Sequence, residues 1–461
     1  MDRIPVIVIF DIGKTNKKLF CFNEYYKILH EQQVYFTEIT DEDGDPAEDL
    51  EKLIAWIAGS MESILRHPNF EIRAVNFCSY GASFVHLDKN DKPLTPVYNY
   101  LKPYPPELSK KFYQEYGGAT AFSLITASPV LGSLNSGMQL YRLKNLRPDI
   151  FPQIKYSLHL PQYIAFLLSN QYYSDITSIG CHTNLWNFDQ NKYHEWVYRE
   201  GLLDKLAPLI SSNHTQWINI HGRSLLAGVG LHDSSAALIP YLQNFHEPFV
   251  LISTGTWCIG LNPFNKKPLT ETELKEDCLC YMSFQGKPVK ASRIFAGYQH
   301  EQEVNRISTY FQKPSDYHSC IVYNPETVDL LINSKNTKAT ERAVGESLFH
   351  NKELSTFKDY EEAYHQLMLD ILTDQKHALN LILEGTEVKR IFVDGGFGKN
   401  KLYMQLLAES FPLFEVFAAS VPQATALGSA LAIHHSWNKK SIPNDIIDLR
   451  LYRSSHIETN S

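Results

Sequence analysis

Val6–Phe22 reads VIVIFDIGKTNKKLFCF, and its interpretation governs the rest of the chain. Val6 to Phe10 are all β-branched or aromatic, which suits a buried strand. Asp11, Gly13, Lys14 and Thr15 make a short polar turn, Lys18 closes it, and Leu19–Phe22 returns as a second strand. The result is a hairpin with a carboxylate, a glycine, a hydroxyl and a lysine at its tip. Such a tip suits a triphosphate with its metal ion. Glycine lets the backbone come close, backbone N–H groups cradle phosphate oxygens, and a carboxylate such as Asp11 holds hydrated Mg²⁺. Gly13-Lys14-Thr15 imitates the end of a Walker A loop. That loop needs a further glycine where Val8 stands, and a helix where a strand pattern follows, so it is excluded.

The hairpin recurs about half a chain later. Phe249–Leu261 reads FVLISTGTWCIGL, an apolar strand, the turn Ser253-Thr254-Gly255-Thr256, and an apolar strand leaving it. Either hairpin alone is an ordinary turn. Repeated at this spacing, the pair reads as two related lobes that hold one nucleotide between turns at Gly13 and Gly255.

A chain of 461 residues exceeds one ordinary core, so two domains are expected. The 44% apolar and 20% charged content is that of a globular protein. Net charge is −8 with no basic cluster, which argues against nucleic acid. No apolar run approaches the ~18 residues of a membrane span, and Met1-Asp2-Arg3 leads straight into the first strand with no signal peptide. The seven cysteines are scattered, and the Cys278–Cys280 spacing is wrong for a zinc knuckle. Reduced thiols and a cytoplasmic location are the corresponding expectations.

Strands and helices interleave in both halves, giving an α/β protein. Residues 37–51 are acidic and read as a solvated loop leading into a helix, with Pro46 at its start and Leu50 to Leu65 at helical spacing. Ile72–Cys78 reads as a strand ending at Ser79-Tyr80-Gly81-Ala82-Ser83, a break where a ligand can approach, and Phe84–Asp88 as a further strand. Residues 103–132 read as loop with one short helix, and Ser136–Leu146 and Leu160–Ser169 as helices. The aromatics of 172–196 read as core rather than a sugar platform. Asn244–Pro248 is the boundary between domains 1–245 and 246–461. Residues 313–355 read as loop with one helix, Tyr360–Leu383 as a long helix, Lys389–Asp394 as a strand, and Lys401–Ser410 and Gln423–Trp437 as helices. The tail from Ser454 reads as frayed.

Asp233 is the candidate general base. It follows the apolar, glycine-punctuated run from Leu225 and precedes Ser-Ser-Ala-Ala-Leu, where it also makes a good helix N-cap. The two roles agree, because a helix N-terminus favours the anion and a base must be deprotonated. His232 is placed to orient it or to touch a substrate hydroxyl. Gly395-Gly396 after a buried strand lets a flat ring lie against backbone, with Asp394 capping the turn and Asn400 beyond it.

Together these residues resemble the FGGY family of carbohydrate kinases, and the resemblance runs over nearly the whole chain. Asp11-Ile-Gly13-Lys-Thr15-Asn-Lys-Lys18 is similar to the first phosphate motif, with Lys14 where Thr or Ala is usual. Ser253-Thr254-Gly255-Thr256-Trp257 is similar to the second, with a trailing Trp typical of the rhamnulokinase and fuculokinase branch. Gly228-Val-Gly230-Leu-His232-Asp233 resembles the segment that carries the catalytic aspartate. Gly395-Gly396-Phe-Gly398-Lys-Asn400 resembles the adenosine motif, and Ala424-Thr-Ala426-Leu-Gly428 the helix behind it. Tyr80-Gly81-Ala-Ser83-Phe84 falls where rhamnulokinases contact sugar, with Ser83 in place of an acidic residue. Tyr98-Asn-Tyr100-Leu-Lys102 lacks the arginine that relatives carry.

The resemblance implies two actin-like, ribonuclease H-like ATPase domains with a nucleotide cleft between them. ATP would contact Gly13, Lys14, Thr15, Lys18, Thr254, Gly255, Thr256, Gly395, Gly396 and Asn400. The sugar would meet Gly81, Ser83 and His232, Asp11 would hold Mg²⁺, and Asp233 would take the proton. The expected reaction is phosphorylation of a ketose such as L-rhamnulose or L-fuculose on O1, in a protein with room to form a homodimer. The rival readings are a pentulose or polyol kinase of the same family, or an actin-like nucleotide-binding regulator without sugar chemistry.

Overall fold

The first strand is buried on both of its faces, and that single fact arranges the layers around it. The computed structural model describes residues 3–333, 347–421 and 423–454. Strand β1 (Ile4–Ile12) pairs antiparallel with β2 (Asn16–Asn23), which pairs antiparallel with β3 (Ile28–Tyr35), while β4 (Phe70–Ser79) lies parallel on the other side of β1. Beyond β4 come β5 (Thr215–Ile220) and β6 (Arg223–Gly228), and short β7 (Leu231–His232) joins the end of β4. Val6, Val8 and Phe10 face helices α1 (Leu50–Leu65) and α2 (Leu160–Ser169). Ile7 and Ile9 face the opposite way, into a second core that also takes in residues of helix α3 (Asp233–Asn244). Each such side chain contributes about 1.5–3 kcal/mol by leaving water. A strand covered twice shows an apolar run instead of alternation.

The second half repeats the plan. Strand β8 (Phe249–Thr254) pairs antiparallel with β9 (Cys258–Asn262). Strand β10 (Cys278–Met282) edges β11 (Pro288–Ile294), and β11 pairs with β9. Strand β12 (Arg390–Gly395) runs parallel beside β8, followed by β13 (Glu415–Ser420) and β14 (Asp448–Tyr452). The order β11-β9-β8-β12-β13 matches β3-β2-β1-β4-β6, so both sheets have the actin-like arrangement. Helices α4 (Ala296–Tyr310), α5 (Tyr360–Leu383) and α6 (Lys401–Ser410) belong to this half, and Val250 and Ile252 pack into their core. Phe249 and Leu251 instead join Ile7 and Ile9 in one shared core built on α3 and helix α7 (Ala424–Ala432). The α3–α7 pair is therefore the layer between the two sheets. It packs backbone to backbone, since a Cβ on Gly428 would lie 1.8 Å from the Ala236 carbonyl oxygen.

Several expectations need correction. Pro46 does not start a helix. Pro46–Glu48 is a short strand between Ile39–Thr40 and Val97–Tyr98, and α1 starts at Leu50 with Asp49 accepting from the Lys52 N–H. Residues 103–132 hold two helices, Pro106–Glu115 and Ala119–Thr126. The last helix breaks at Ile433 into α7 and His434–Trp437. The aromatic segment is core, with Trp186, Tyr193 and Trp196 buried. Within 313–355, Pro325–Asn333 is the helix, while residues 334–346 and the tail 455–461 lie outside the described residues. All seven cysteines are free.

Candidate active site

The first hairpin turns over three residues, Gly13 to Thr15, and closes with the Gly13 N–H donating to the Asn16 carbonyl at 2.8 Å. The register sets Asp11 opposite Lys18. Asp11 is held by the other half of the chain, since the Thr425 hydroxyl donates to its Oδ2 at 2.6 Å. The Cys78 thiol donates to Oδ1 at 3.3 Å. Burial pushes the Asp11 carboxyl above its ordinary range, and the Thr425 and Cys78 bonds oppose the rise. The negative charge of Asp233 adds to it, and Lys18 opposes it. Lys18 itself donates to Gln423 Oε1 at 3.1 Å. Lys14 turns elsewhere, to Glu38 at 2.5 Å. Thr15 is exposed.

Asp233 occupies the first position of α3, with His232 rather than Asp233 as the residue before the helix. Its Oδ1 accepts from the Ser234 N–H at 2.6 Å and hydroxyl at 3.3 Å, and stands 3.3 Å from His232 Nε2. The expected N-cap is thus displaced by one residue, and the helix dipole still stabilises the anion. The side chain is 32% exposed. Burial raises its pKa to about 6, partly offset by the two Ser234 bonds. His232 is held neutral, its pKa lowered by burial to about 3. Its Nε2 also meets the Cys181 thiol at 3.2 Å, while its buried Nδ1 has no partner among the described residues. Gly81 lies against it, since a Cβ there would come within 2.8 Å of His232 Nε2. Ser83 behaves differently: it is fully buried, its hydroxyl turned to the Tyr98 carbonyl at 3.5 Å. Lys102 sits where relatives carry an arginine segment and is likewise buried, 2.9 Å from Asp43, 3.2 Å from Asp45 and hydrogen-bonded to Asp41. Its ammonium occupies the centre of that acidic group.

The second hairpin also turns over three residues, Gly255 to Trp257, closed by the Gly255 N–H to the Trp257 carbonyl at 2.9 Å. Gly255 and Thr256 are exposed. Thr254 is not free to offer its hydroxyl. It donates to the Asp394 carbonyl at 2.6 Å and accepts from the Phe397 N–H at 3.1 Å, fastening β8 to the double-glycine turn. Gly395 has φ +92 with no room for a Cβ against the Thr254 carbonyl, so only glycine fits. Gly396 faces open space. Asn400 caps α6, accepting from the Tyr403 N–H at 3.1 Å and donating to the Tyr364 hydroxyl at 2.7 Å. Thr254, Gly255, Gly396, Phe397 and Asn400 line a cavity of about 620 Å³ with Gly297, His300 and residues 318–322.

Four sets of contacts are not indicated by the sequence. Gly297 at the start of α4 packs on the second turn, where a Cβ would lie 1.8 Å from the Gly255 carbonyl oxygen. Gln423 and Thr425, at the start of α7, hold Lys18 and Asp11. Tyr241, near the end of α3, donates to Asp394 Oδ2 at 3.1 Å, so the helix that carries Asp233 also touches the double-glycine turn. Asn76 donates to the Ser429 carbonyl at 2.8 Å and accepts from the Gly230 N–H at 3.2 Å. These contacts join segments far apart in sequence, which periodicity does not reveal.

Residues 6–221 match the N-terminal domain of the FGGY family of carbohydrate kinases, and residues 246–441 match the carbohydrate kinase FGGY C-terminal domain. A rhamnulokinase from Halalkalibacterium halodurans is 24% identical over 54% of this chain and 54% of its own length. The chain therefore spans about half of that relative. A rhamnulokinase from Oceanobacillus iheyensis is 21% identical over 77% of this chain and 76% of its own. A gluconokinase from Bacillus subtilis is 25% identical over 43% of this chain and 39% of its own. The crystal structure of a carbohydrate kinase from Novosphingobium aromaticivorans has the same fold, with TM-score 0.79 and 22% identity over 98% of this chain and 95% of that one.

Proposed function

The chain belongs to the FGGY family of carbohydrate kinases, and from that premise we propose that it transfers the γ-phosphoryl group of ATP to a ketose hydroxyl, with Asp233 as base. The observation that carries this reading is the neighbourhood of Asp233. It sits at a helix start beside a neutral histidine and close enough to Asp11 to raise that carboxyl. Asp11 belongs to a hairpin tip, so acceptor and phosphates would meet at the two carboxylates.

The adenosine end of ATP is assigned to the cavity lined by Gly396 and Asn400, and its phosphates to the turns at Gly13 and Gly255. Two neighbouring carboxylates that repel each other favour a cation, so Asp11 is assigned Mg²⁺, held through water. The metal, when bound, neutralises phosphate charge. Lys18 stands next to Asp11 and exchanges Gln423 for a phosphate oxygen. Asp233 accepts the hydroxyl proton as the oxygen attacks phosphorus in line, and the rest of the site positions the reactants. Gly81 and His232 form the acceptor side. The buried Ser83 and the structural Lys102 weaken the case for two of the family's sugar contacts.

By branch resemblance the acceptor is a 6-deoxyketohexose, L-rhamnulose or L-fuculose, phosphorylated on O1. The domains are taken as 1–245 and 246–461. No helix among the described residues is long and apolar enough to cross a membrane, in line with a cytoplasmic enzyme. A panel of ketoses, pentuloses, polyols and aldonates in an ADP-coupled assay tests this. Sugar-dependent ADP release with a 6-deoxyketohexose is expected. A preference for a pentulose or a polyol moves the protein to a sister activity, and no sugar-dependent release with any acceptor ends the kinase reading.

A further inference from the structure

Two lysines near the first hairpin are paired with carboxylates, and the two pairs differ in one respect. Lys17 and Glu48 are buried at 2.8 Å, and the carboxylate also accepts from the Tyr80 hydroxyl at 3.0 Å, so that pair is closed to ligands. Lys14 and Glu38 form an open layer above it, their side chains 23% and 41% exposed. The Lys14 ammonium stands 5.7 Å from the centre of the Tyr80 ring and 5.9 Å from that of Tyr100, and the two rings meet edge to face at 5.9 Å. Asn99 Nδ2 donates to Glu38 at 3.2 Å. Lys14 and Asn99 both bind Oε1, which leaves Oε2 as an acceptor for something else.

This group is continuous with the acceptor side of the crevice. Tyr80 precedes Gly81, which lies against His232, the neighbour of Asp233. Burial first, then the charges of Asp233 and Glu38, raise the Tyr100 phenol. A carboxylate oxygen that accepts, an ammonium that donates and two aromatic faces are what a polyhydroxylated chain requires. Ser83 offers no carboxylate, and Glu38 supplies one a short way off.

We infer that Lys14, Glu38 and Asn99 form the end of the acceptor pocket remote from the reacting hydroxyl, reading sugar hydroxyls against the Tyr80 and Tyr100 rings. Lys14 is then a sugar contact rather than a phosphate contact, although it lies on the phosphate turn. The assignment rests on the acceptor side being at Gly81 and His232, as in the kinase reading above.

Calorimetry on the full chain measures binding without turnover, so the outcome does not depend on Asp233 being the base. The probes are the sugars of the panel and, separately, ATP with Mg²⁺. For the sugar bound best by the unaltered protein, Glu38→Gln and Lys14→Met should each raise Kd about tenfold or more, the usual worth of a hydrogen bond to a charged group. Kd for ATP should stay within about twofold. Glu38→Asp should recover part of the sugar affinity. Unchanged sugar affinity in Glu38→Gln overturns the inference, as does a panel in which no sugar binds the unaltered protein. Weakened ATP binding in Lys14→Met would move that lysine to the phosphates. Sugar binding that depends on Glu38 without any phosphorylation would uphold this pocket while removing the kinase reading.

Discussion

The two hairpins have turns of equal length at equivalent places in their sheets, yet they offer a ligand different things. The tip of the first carries charge: Asp11, Lys14 and Lys18, engaged by Thr425, Glu38 and Gln423 respectively. The second offers Gly255 and Thr256 with no charged side chain, and its Thr254 hydroxyl is spent on holding the double-glycine turn. A duplicated element has thus divided its work. In the proposed reaction one copy would supply charge and a metal ligand, and the other a turn without charged side chains that is fastened to the double-glycine segment.

The comparison can be broken in order of expected effect. Asp233 lies on neither hairpin, and Asp233→Ala should lower kcat by about 10²–10⁴-fold with ATP affinity unchanged by calorimetry. Wild-type turnover in this variant would place the base elsewhere. Lys18→Met should raise Kd for ATP by about 10–100-fold, the worth of a charged hydrogen bond. An effect on sugar affinity alone would contradict a charge-bearing first turn. Gly255→Val should weaken ATP binding without harming the fold, because a Cβ at Gly255 meets nothing closer than 4.0 Å. If affinity is unaltered, phosphate does not approach the second turn. Thr256→Ala should change ATP affinity less than about twofold; a larger loss would show that the second turn works through side chains after all.

The smallest effect is thermal. The Asp233 pKa of about 6 lies above its ordinary 3.8, so the folded state binds this proton more tightly than the unfolded chain does. Deprotonation therefore costs stability above about pH 6, and the cost vanishes below the unfolded value. Asp233→Asn should melt higher than the unaltered protein at pH 8 and equally at pH 3. For the unaltered enzyme, kcat/KM should fall about tenfold per pH unit below 6. A pH-independent difference in melting temperature would separate the Asn effect from this titration.

The parts of the fold that the sequence makes legible are those with local causes. The helices Ser136–Leu146, Leu160–Ser169, Tyr360–Leu383 and Lys401–Ser410 lie where periodicity puts them, because one face of each is apolar. Both hairpins follow from apolar runs broken by glycine. Pro46 misleads because a proline fits the first residue of a strand as well as of a helix. The break at Ile433 is invisible because no glycine or proline between Leu431 and Trp437 marks it. At the site, Asp11, Gly13, Gly395 and Asp233 are legible through residue type and spacing. Thr425, Gln423 and Glu38 are not, since each gains its meaning from a partner hundreds of residues away or on another strand.

The near-contact of Gly428 with Ala236 has a mechanical consequence. The carboxylate that would take the proton is mounted three residues before one side of this crossing, and the threonine that grips Asp11 three residues before the other. Asp233 and Thr425 are therefore referred to one another through helix backbone, and any movement of the halves that leaves this crossing intact leaves those two residues aligned.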